Sequence, residues 1–201
     1  MNILLLGSKS ASRQMLLNQM DIPFVLIDQD ADETACDWTL PFEQVVSSIA
    51  RHKMNQVIMP AVQDKQEVFV LTADTLSQTI NGSISGKPTN KENAIAKLKE
   101  ARKGMRTGTA FCLEKRIYTF EQWQIVDRIE QFVDARYKFN VPDHWIDRYL
   151  ENAAGFSSSG AIAIEEYGLQ FLESVNGSYT AIIGLPLFEL RLALEKIGFF
   201  S

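Results

Sequence analysis

The sequence contains few of the residues that build covalent cross-links or histidine-centred sites. Its 201 residues include two cysteines, Cys36 and Cys112, and two histidines, His52 and His144. A disulfide framework needs more cysteines, a zinc site needs closely spaced cysteine or histidine ligands, and a Ser-His-Asp triad needs a histidine beside its nucleophile. This scarcity argues against all three and favours a reducing compartment.

Long apolar runs and excess positive charge are also missing. Eighteen apolar residues never occur in succession, and the short apolar run at residues 3–6 has the length of a strand rather than of a signal peptide. The formal net charge of −5 provides no overall attraction for nucleic acid or an anionic membrane. We therefore predict a cytoplasmic protein without nucleic-acid or membrane partners, in which local lysine and arginine clusters remain able to hold a small anion.

The composition that remains is that of a folded protein, with 46 % hydrophobic and 22 % charged residues. Apolar stretches of strand length alternate with stretches of helical periodicity, which predicts an α/β fold with a mixed twisted sheet, flanking helices and two lobes around a cleft. Helices are predicted to begin after the loop at 7–13, at Pro41, at a Thr89–Glu92 capping box, at Pro142 and at Leu185-Pro186. Strands are predicted at 3–6, 24–27, 68–71, 107–114, 117–120 and 125–139, with a turn at Lys115-Arg116 and two short strands near 161–164 and 170–173.

The segment Gly7-Ser8-Lys9-Ser10-Ala11-Ser12-Arg13 joins the first predicted strand to a helix. A hydroxyl-rich turn at a helix N-terminus offers backbone N–H groups and a favourable dipole to an anion, and Arg13 adds a bidentate phosphate donor. The simpler interpretation is that one serine caps the helix and the others are solvated. The segment lacks the GxxxxGK[ST] pattern, which excludes a P-loop.

Carboxylates follow two of the predicted strands. Asp74 comes directly after a buried strand, and Asp32 and Glu33 lie in the acidic loop 28–34. Carboxylates from separate loops are suitable ligands for Mg²⁺ or Mn²⁺ beside a polyphosphate. The alternative is that the acidic loop is a solvated surface and that Asp74 caps a turn.

Two lysines are candidate phosphate ligands. Lys87 lies in the rigid loop Gly86-Lys87-Pro88, and Lys53 lies late in a predicted helix. Lysines at helix C-termini and in loops are mostly surface residues, so neither is informative alone.

Taken in order, these motifs resemble those of the Maf family, relatives of the inosine-triphosphate pyrophosphatase fold that hydrolyse nucleoside triphosphates to the monophosphate and pyrophosphate. The resemblance extends over nearly the whole chain and implies a single Maf-like domain at 1–201. The matching motifs are S-x-S-x-x-R at Ser8, Ser10 and Arg13; D-E-T at Asp32-Glu33-Thr34; A-R-x-K at Ala50–Lys53; A-D-T at Ala73-Asp74-Thr75; G-K-P at Gly86-Lys87-Pro88; and G-x-Y with G-L-P-L at Gly177–Leu187.

The resemblance implies a role for each matching residue. Asp74 would be the general base that activates a water molecule, and Asp74 and Glu33 would hold a divalent cation, Mg²⁺ or Mn²⁺. A house-cleaning activity and a homodimer are further family expectations. The residues expected to bind the nucleoside triphosphate are Ser8, Ser10, Ser12, Arg13, Lys53, Thr75, Lys87 and Glu165.

Several positions depart from the family pattern. Ser12 replaces an arginine or tryptophan, Ser158 replaces a frequent lysine or cysteine, and the segment around 103–107 is shortened. Thr75 resembles the dTTP/UTP branch, whereas Glu165 resembles the 7-methyl-GTP branch, and a carboxylate can accept from guanine N1–H. We therefore expect a slight preference for 7-methyl-GTP over dTTP and UTP. A non-catalytic nucleotide-binding regulator of cell division and an unrelated phosphohydrolase are the alternative hypotheses.

Overall fold

A computed structural model describes residues 2–61 and 65–201. Within them the chain forms seven strands and six α-helices, joined by loops and short 3₁₀ turns. The strands are β1 (Leu4–Leu6), β2 (Phe24–Leu26), β3 (Glu67–Thr79), β4 (Ile84–Ser85), β5 (Met105–Thr119), β6 (Gln122–Phe139) and β7 (Leu172–Gly177). The helices are α1 (Ala11–Gln19), α2 (Phe42–Asn55), α3 (Lys91–Ala101), α4 (Ile146–Asn152), α5 (Tyr179–Ile183) and α6 (Leu187–Lys196).

The strands form one mixed sheet, which confirms the predicted α/β class. Their order is β2-β1-β3-β5-β6-β7, and β4 pairs with β3. β1 runs parallel to both β2 and β3, with Leu5 opposite Val25 and Val70. β7 runs antiparallel to β6, and β4 runs antiparallel to β3.

Contacts between residues divide the chain into two compact units. The first unit comprises Met1–Asp74, Thr109–Phe132 and Gly184–Ser201, and the second unit comprises Thr75–Gly108 and Val133–Ile183. The strands β3, β5 and β6 each pass from one unit to the other. The single domain expected at 1–201 and the cleft expected between two lobes remain predictions.

The core of the first unit follows from its apolar periodicity. Leu4 and Leu6 of β1 are fully buried, as are Val45, Val46 and Ile49 of α2. The three α2 residues are spaced as one face of a helix, and burial of that face stabilises α2 more than its intrinsic propensity does. α1 begins where Ser10 caps it, since the Ser10 side chain accepts a hydrogen bond from the backbone N–H of Arg13.

An aromatic cluster fills the core of the second unit. The rings of Phe139 and Tyr149 lie 5.5 Å apart in an edge-on arrangement, and Phe171 lies 5.7 Å from Tyr149 and 5.9 Å from Trp145. Beside the cluster, hydroxyl groups satisfy one another: Thr107 Oγ1 hydrogen-bonds both Ser77 Oγ, at 2.8 Å, and Tyr137 OH, at 2.9 Å. Burial raises the pKa of Tyr137 to about 12, so its phenol stays neutral.

The predicted turn at Lys115-Arg116 is wrong. β5 continues through both residues, and the chain reverses at Phe120 and Glu121, where φ is 52° and 61°. Two successive residues with positive φ are typical of a type I′ hairpin turn, which usually contains Asn or Gly. Phe120-Glu121 carries neither signal, and this is why the sequence pattern misplaced the reversal.

Three smaller predictions also need correction. No strand forms at 161–164, because the Tyr149 hydroxyl donates to the carbonyl of Ala161 and accepts from the N–H of Ala163, taking the place of a neighbouring strand. The second short strand lies at Leu172–Gly177 rather than near 170–173. The α3 cap is Asn90, whose side chain accepts from the Asn93 N–H, so Thr89 and Glu92 do not form a capping box. Within the described ranges, none of the helices is long and apolar enough to cross a membrane.

Candidate active site

Asp74 is the most deeply buried carboxylate among the predicted site residues. It lies in β3, where the first unit ends, and only 6 % of its surface is exposed. Its Oδ1 accepts a hydrogen bond from Lys53 Nζ at 2.6 Å. Its Oδ2 is also buried, yet it has no hydrogen-bond partner among the described residues. A buried, unsatisfied carboxylate oxygen is costly, so its retention indicates an additional ligand or a catalytic role.

Lys53 joins two carboxylates. Its Nζ lies 2.6 Å from Asp74 Oδ1 and 2.8 Å from Glu33 Oε1. The periodicity of α2 places Lys53 on the buried face beside Ala50 and Met54, so a residue that is usually exposed is 8 % exposed here. Glu33 begins a 3₁₀ turn capped by the Asp32 side chain, and nearly half of its own side chain is exposed. In this arrangement the Lys53 ammonium offsets one of the two negative charges of the site carboxylates.

Arg13 is fixed at the start of α1 by two hydrogen bonds. Its Nε donates to the Gly184 carbonyl at 2.9 Å, and its Nη1 donates to Ser8 Oγ at 3.0 Å. Burial lowers the pKa of Arg13, and the negative charges of Asp74 and Glu33 oppose that effect. The charges of both carboxylates therefore act on the guanidinium of Arg13.

A close approach of the backbone explains the glycine before Ser8. A Cβ at Gly7 would lie 2.9 Å from Thr72 Cγ2 and 3.2 Å from Val57 Cγ1. Glycine therefore allows the loop after β1 to pack closely against β3. Of the three serines in this loop, Ser8 contacts Arg13, Ser10 caps α1, and Ser12 is half-buried in the first turn of α1.

Three predicted substrate ligands belong to the second unit. Thr75 follows Asp74 directly in β3, Lys87 is exposed, and Glu165 precedes a 3₁₀ turn at Glu166–Phe171. Burial raises the pKa of Tyr179, and the nearby Glu165 charge raises it further. Glu165 thus lies in a partly buried, tyrosine-lined environment of its own unit, and its role and those of Thr75 and Lys87 remain predictions.

Sequence patterns missed the carbonyl of Gly184 and the buried charges near α2. A carbonyl group carries no sequence signal, because every residue has one. The buried charges did leave a signal in Glu114-Lys115-Arg116, where charged residues interrupt an apolar stretch. The sequence predicts a turn at Lys115-Arg116, whereas Arg116 lies within β5 and forms a buried ion pair with Glu114.

The residues that fit a metal ion are Asp74 and Glu33. Within 2–61 and 65–201, no cluster of three or more histidine, cysteine or acidic side chains is arranged to bind a metal. Two carboxylates nevertheless supply the hard oxygen ligands that Mg²⁺ and Mn²⁺ take when water and phosphate oxygens complete the coordination. Glu33, whose side chain is nearly half exposed, and the carboxyl group of Asp74 fit that requirement.

A cavity of about 520 Å³ lies elsewhere, in the second unit. Its lining includes Arg106, Arg136 and Lys138 but none of the predicted site residues. The size of a cavity is a weaker guide to chemistry than convergent charged groups, so we place the candidate site at Asp74, Lys53, Glu33 and Arg13.

Comparisons with known proteins identify relatives of this chain. A family model described as Maf-like protein matches residues 3–197. A dTTP/UTP pyrophosphatase from Caldicellulosiruptor saccharolyticus is 31 % identical over 200 residues, covering 99 % of this chain and 96 % of the relative. Another from Halalkalibacterium halodurans is 30 % identical over 202 residues, covering 99 % and 98 %. A solved HAM1 protein from Coxiella burnetii overlaps with a TM-score of 0.40 at 13 % identity, covering 70 % of this chain and 74 % of that one, a likeness too low to bear on function.

Proposed function

Because the chain belongs to the Maf-like protein family, we propose that it is a nucleoside triphosphate pyrophosphatase that forms a nucleoside monophosphate and pyrophosphate. The observation that carries this proposal is the buried Asp74, which has one oxygen fixed by Lys53 and the other free for a water molecule. Relatives at about 30 % identity over nearly the full chain bear the name of this activity.

In the proposed mechanism, Asp74 Oδ2 accepts a hydrogen bond from the attacking water and takes its proton as the oxygen attacks the α-phosphorus. The bond between the α-phosphorus and the bridging oxygen breaks, and pyrophosphate leaves with that oxygen and its electron pair. Lys53 holds Asp74 in one orientation throughout, because Oδ1 stays bound to the ammonium group. A general base that is held in one orientation loses less conformational entropy when the reactive geometry forms.

The negative charge of the triphosphate has to be balanced by positively charged groups. Arg13 presents a guanidinium held by Gly184 and Ser8, ready to bind phosphate oxygens in a planar, bidentate manner. Asp74 and Glu33 would hold Mg²⁺ or Mn²⁺, which when bound offsets the charge that develops on the leaving pyrophosphate. Lys87 remains a predicted phosphate ligand of the second unit.

The names of the relatives point to dTTP and UTP as the nucleotides with the preferred nucleobase. The preference for 7-methyl-GTP suggested by Glu165 finds no support in the comparisons. A carboxylate oxygen also accepts from the N3–H of thymine or uracil, so Glu165 is compatible with a pyrimidine. We propose dTTP and UTP as the substrates to test first, with 7-methyl-GTP as the comparison.

The test is a panel of these nucleotides with Mg²⁺, with Mn²⁺ and with a chelator, scoring pyrophosphate and orthophosphate separately. We expect pyrophosphate to be released only when a divalent cation is present. Nucleotide binding without turnover would instead support a non-catalytic regulator, and release of orthophosphate would support an unrelated phosphohydrolase.

A further inference from the structure

Glu114 is a fully buried carboxylate that the proposed chemistry does not use. It lies within β5, and each of its oxygens is bound by an arginine. Oε2 accepts from Arg116 Nε at 2.5 Å, and Oε1 accepts from Arg128 Nε at 2.5 Å. A buried charge is retained only when its partners compensate for the loss of water, so these contacts fix all three side chains.

Both arginines extend from Glu114 to the end of α2. Arg116 Nη2 donates to the Met54 carbonyl at 3.2 Å, and Arg128 Nη2 donates to Asn55 Oδ1 at 3.2 Å. The Met54 carbonyl is among the last four of α2, which have no partner inside the helix. Arg116 satisfies this carbonyl and also places positive charge at the negative end of the helix dipole.

A third contact anchors α2 on the other side of Lys53. Arg51 donates from Nε to both oxygens of Glu130 at 2.9 Å, and Glu130 Oε1 lies 3.8 Å from Arg128 Nη1. The Arg51 hydrogen bond lowers the pKa of Glu130, because the arginine stabilises the charged form of the carboxylate. Residues 51, 54 and 55, on both sides of Lys53, are therefore held by one connected set of charges.

The same end of α2 also fixes the loop that carries Glu33. The Asp30 N–H donates to the Gln56 carbonyl at 3.2 Å, and the Ile58 N–H donates to the Asp28 carbonyl at 2.9 Å. Movement at the end of α2 would therefore displace both Lys53 and the chain leading to Glu33.

We infer that Glu114 is a positioning residue, which through Arg116 and Arg128 holds the end of α2 so that Lys53 bridges Asp74 and Glu33. The lysine side chain has four rotatable bonds, and its 2.6 and 2.8 Å contacts persist only if its backbone stays in place. The catalytic consequence rests on the proposed function, whereas the structural consequence does not.

The structural test follows Lys53 directly by NMR of protein labelled with ¹³C at lysine Cε, with Lys53→Arg identifying its signal. We expect Glu114→Gln to move the Lys53 signal toward that of exposed lysines. Arg116→Lys, which keeps the charge beside Glu114 but shortens the reach to the Met54 carbonyl, should move it less. The control is Leu98→Ala, a fully buried substitution in the second unit, which should lower the melting temperature without moving the signal. An unmoved Lys53 signal in both folded variants would overturn the positioning role.

The kinetic test measures kcat and KM of the same variants. We expect Glu114→Gln to lower kcat about tenfold and Arg116→Lys to lower it about threefold. KM should stay nearly constant, because displacing a catalytic group slows the reaction more than it weakens substrate binding. Wild-type kcat in a Glu114→Gln protein whose Lys53 signal has moved would overturn the catalytic consequence. If the wild-type protein hydrolyses no nucleotide, the proposed function fails, and the NMR result still decides whether Glu114 positions Lys53.

Discussion

The two units differ in the charged groups that they bury. In the described part of the chain, the buried charged side chains all belong to the first unit: Arg13, Lys53, Asp74, Glu114 and Arg116. The buried polar side chains of the second unit are hydroxyls, at Ser77, Ser85 and Thr107. Burying charge costs far more than burying a hydrogen-bonded hydroxyl. The first unit is therefore organised around electrostatics, and the second around packing and neutral hydrogen bonds.

Because of this difference, the first unit is suited to stabilising charge and the second to providing rigidity. Fixed charges are what the hydrolysis of a polyphosphate requires, because they act where charge develops without having to reorganise. An aromatic core with satisfied hydroxyls gives rigidity at little electrostatic cost. Substitutions of buried polar groups should accordingly differ in kind, with activity most sensitive in the first unit. In the second unit, away from the predicted substrate ligands Thr75, Lys87 and Glu165, they should mainly affect stability.

The largest effect is expected at Asp74. Asp74→Asn removes the proton acceptor and should lower kcat about 10³-fold, while nucleotide affinity measured by calorimetry changes little. The control is Asp143→Asn, which breaks an exposed ion pair in the second unit and should retain full activity. Turnover by Asp74→Asn at the wild-type rate would remove Asp74 from the mechanism.

The next effect compares a buried ion pair with an exposed one. Lys53→Met leaves Asp74 and Glu33 without their shared cation and should lower the free energy of unfolding by about 3 kcal/mol. Lys91→Met breaks the solvent-exposed pair with Asp147 in the second unit and should cost much less, because water screens that pair. Urea denaturation of both variants measures the difference, and equal losses would contradict the contrast between the units.

A smaller effect tests the hydroxyl chain of the second unit. Thr107→Val keeps the shape but leaves Ser77 and Tyr137 without their shared partner, which should cost about 1–2 kcal/mol of unfolding free energy. Thr119→Val, near the end of the same strand, is the matched control and should be close to neutral. Since no charge changes, the kcat of Thr107→Val should stay near the wild-type value; a large fall in kcat would link this unit to the chemistry.

The smallest effect is a pH dependence in the first unit. The folded-state pKa of Glu130 lies below its ordinary value of 4.5, so its pair with Arg51 stabilises the protein above that pH and is lost as the pH falls through the folded pKa. Glu130→Gln should cost about 0.5–1 kcal/mol at pH 7, and the difference from wild type should shrink toward pH 3. Denaturation at several pH values checks this, and a constant difference would assign the cost to packing.

The sequence predicted regular elements best where burial imposes a period. β1, α1, α2 and α6, each with buried apolar residues, appear where strand-length apolar runs or helical spacing predicted them. The turn at Phe120-Glu121 and the loop at 161–164 escaped prediction for a shared reason. In both, the backbone is determined by partners distant in sequence or by φ angles that the residue types do not reveal.

The same distinction applies to the site. Residue types and motif order predicted that one polyphosphate site contains Ser8, Arg13, Glu33, Lys53 and Asp74. They did not show that Lys53 contacts carboxylates, nor that Arg13 is held by the Gly184 carbonyl. They also left Glu114 unnoticed, because its importance depends on a position beside α2 that strand pairing alone creates.

The sequence by itself determined the α/β class, the family and the kinds of side chain available for chemistry, since these follow from local periodicity and from motifs read along the chain. Only the tertiary structure decided which of those side chains meet. Ion pairs such as Lys53–Asp74 and Glu114–Arg128 form between elements separated in sequence, and their strength depends on burial, which no local pattern specifies.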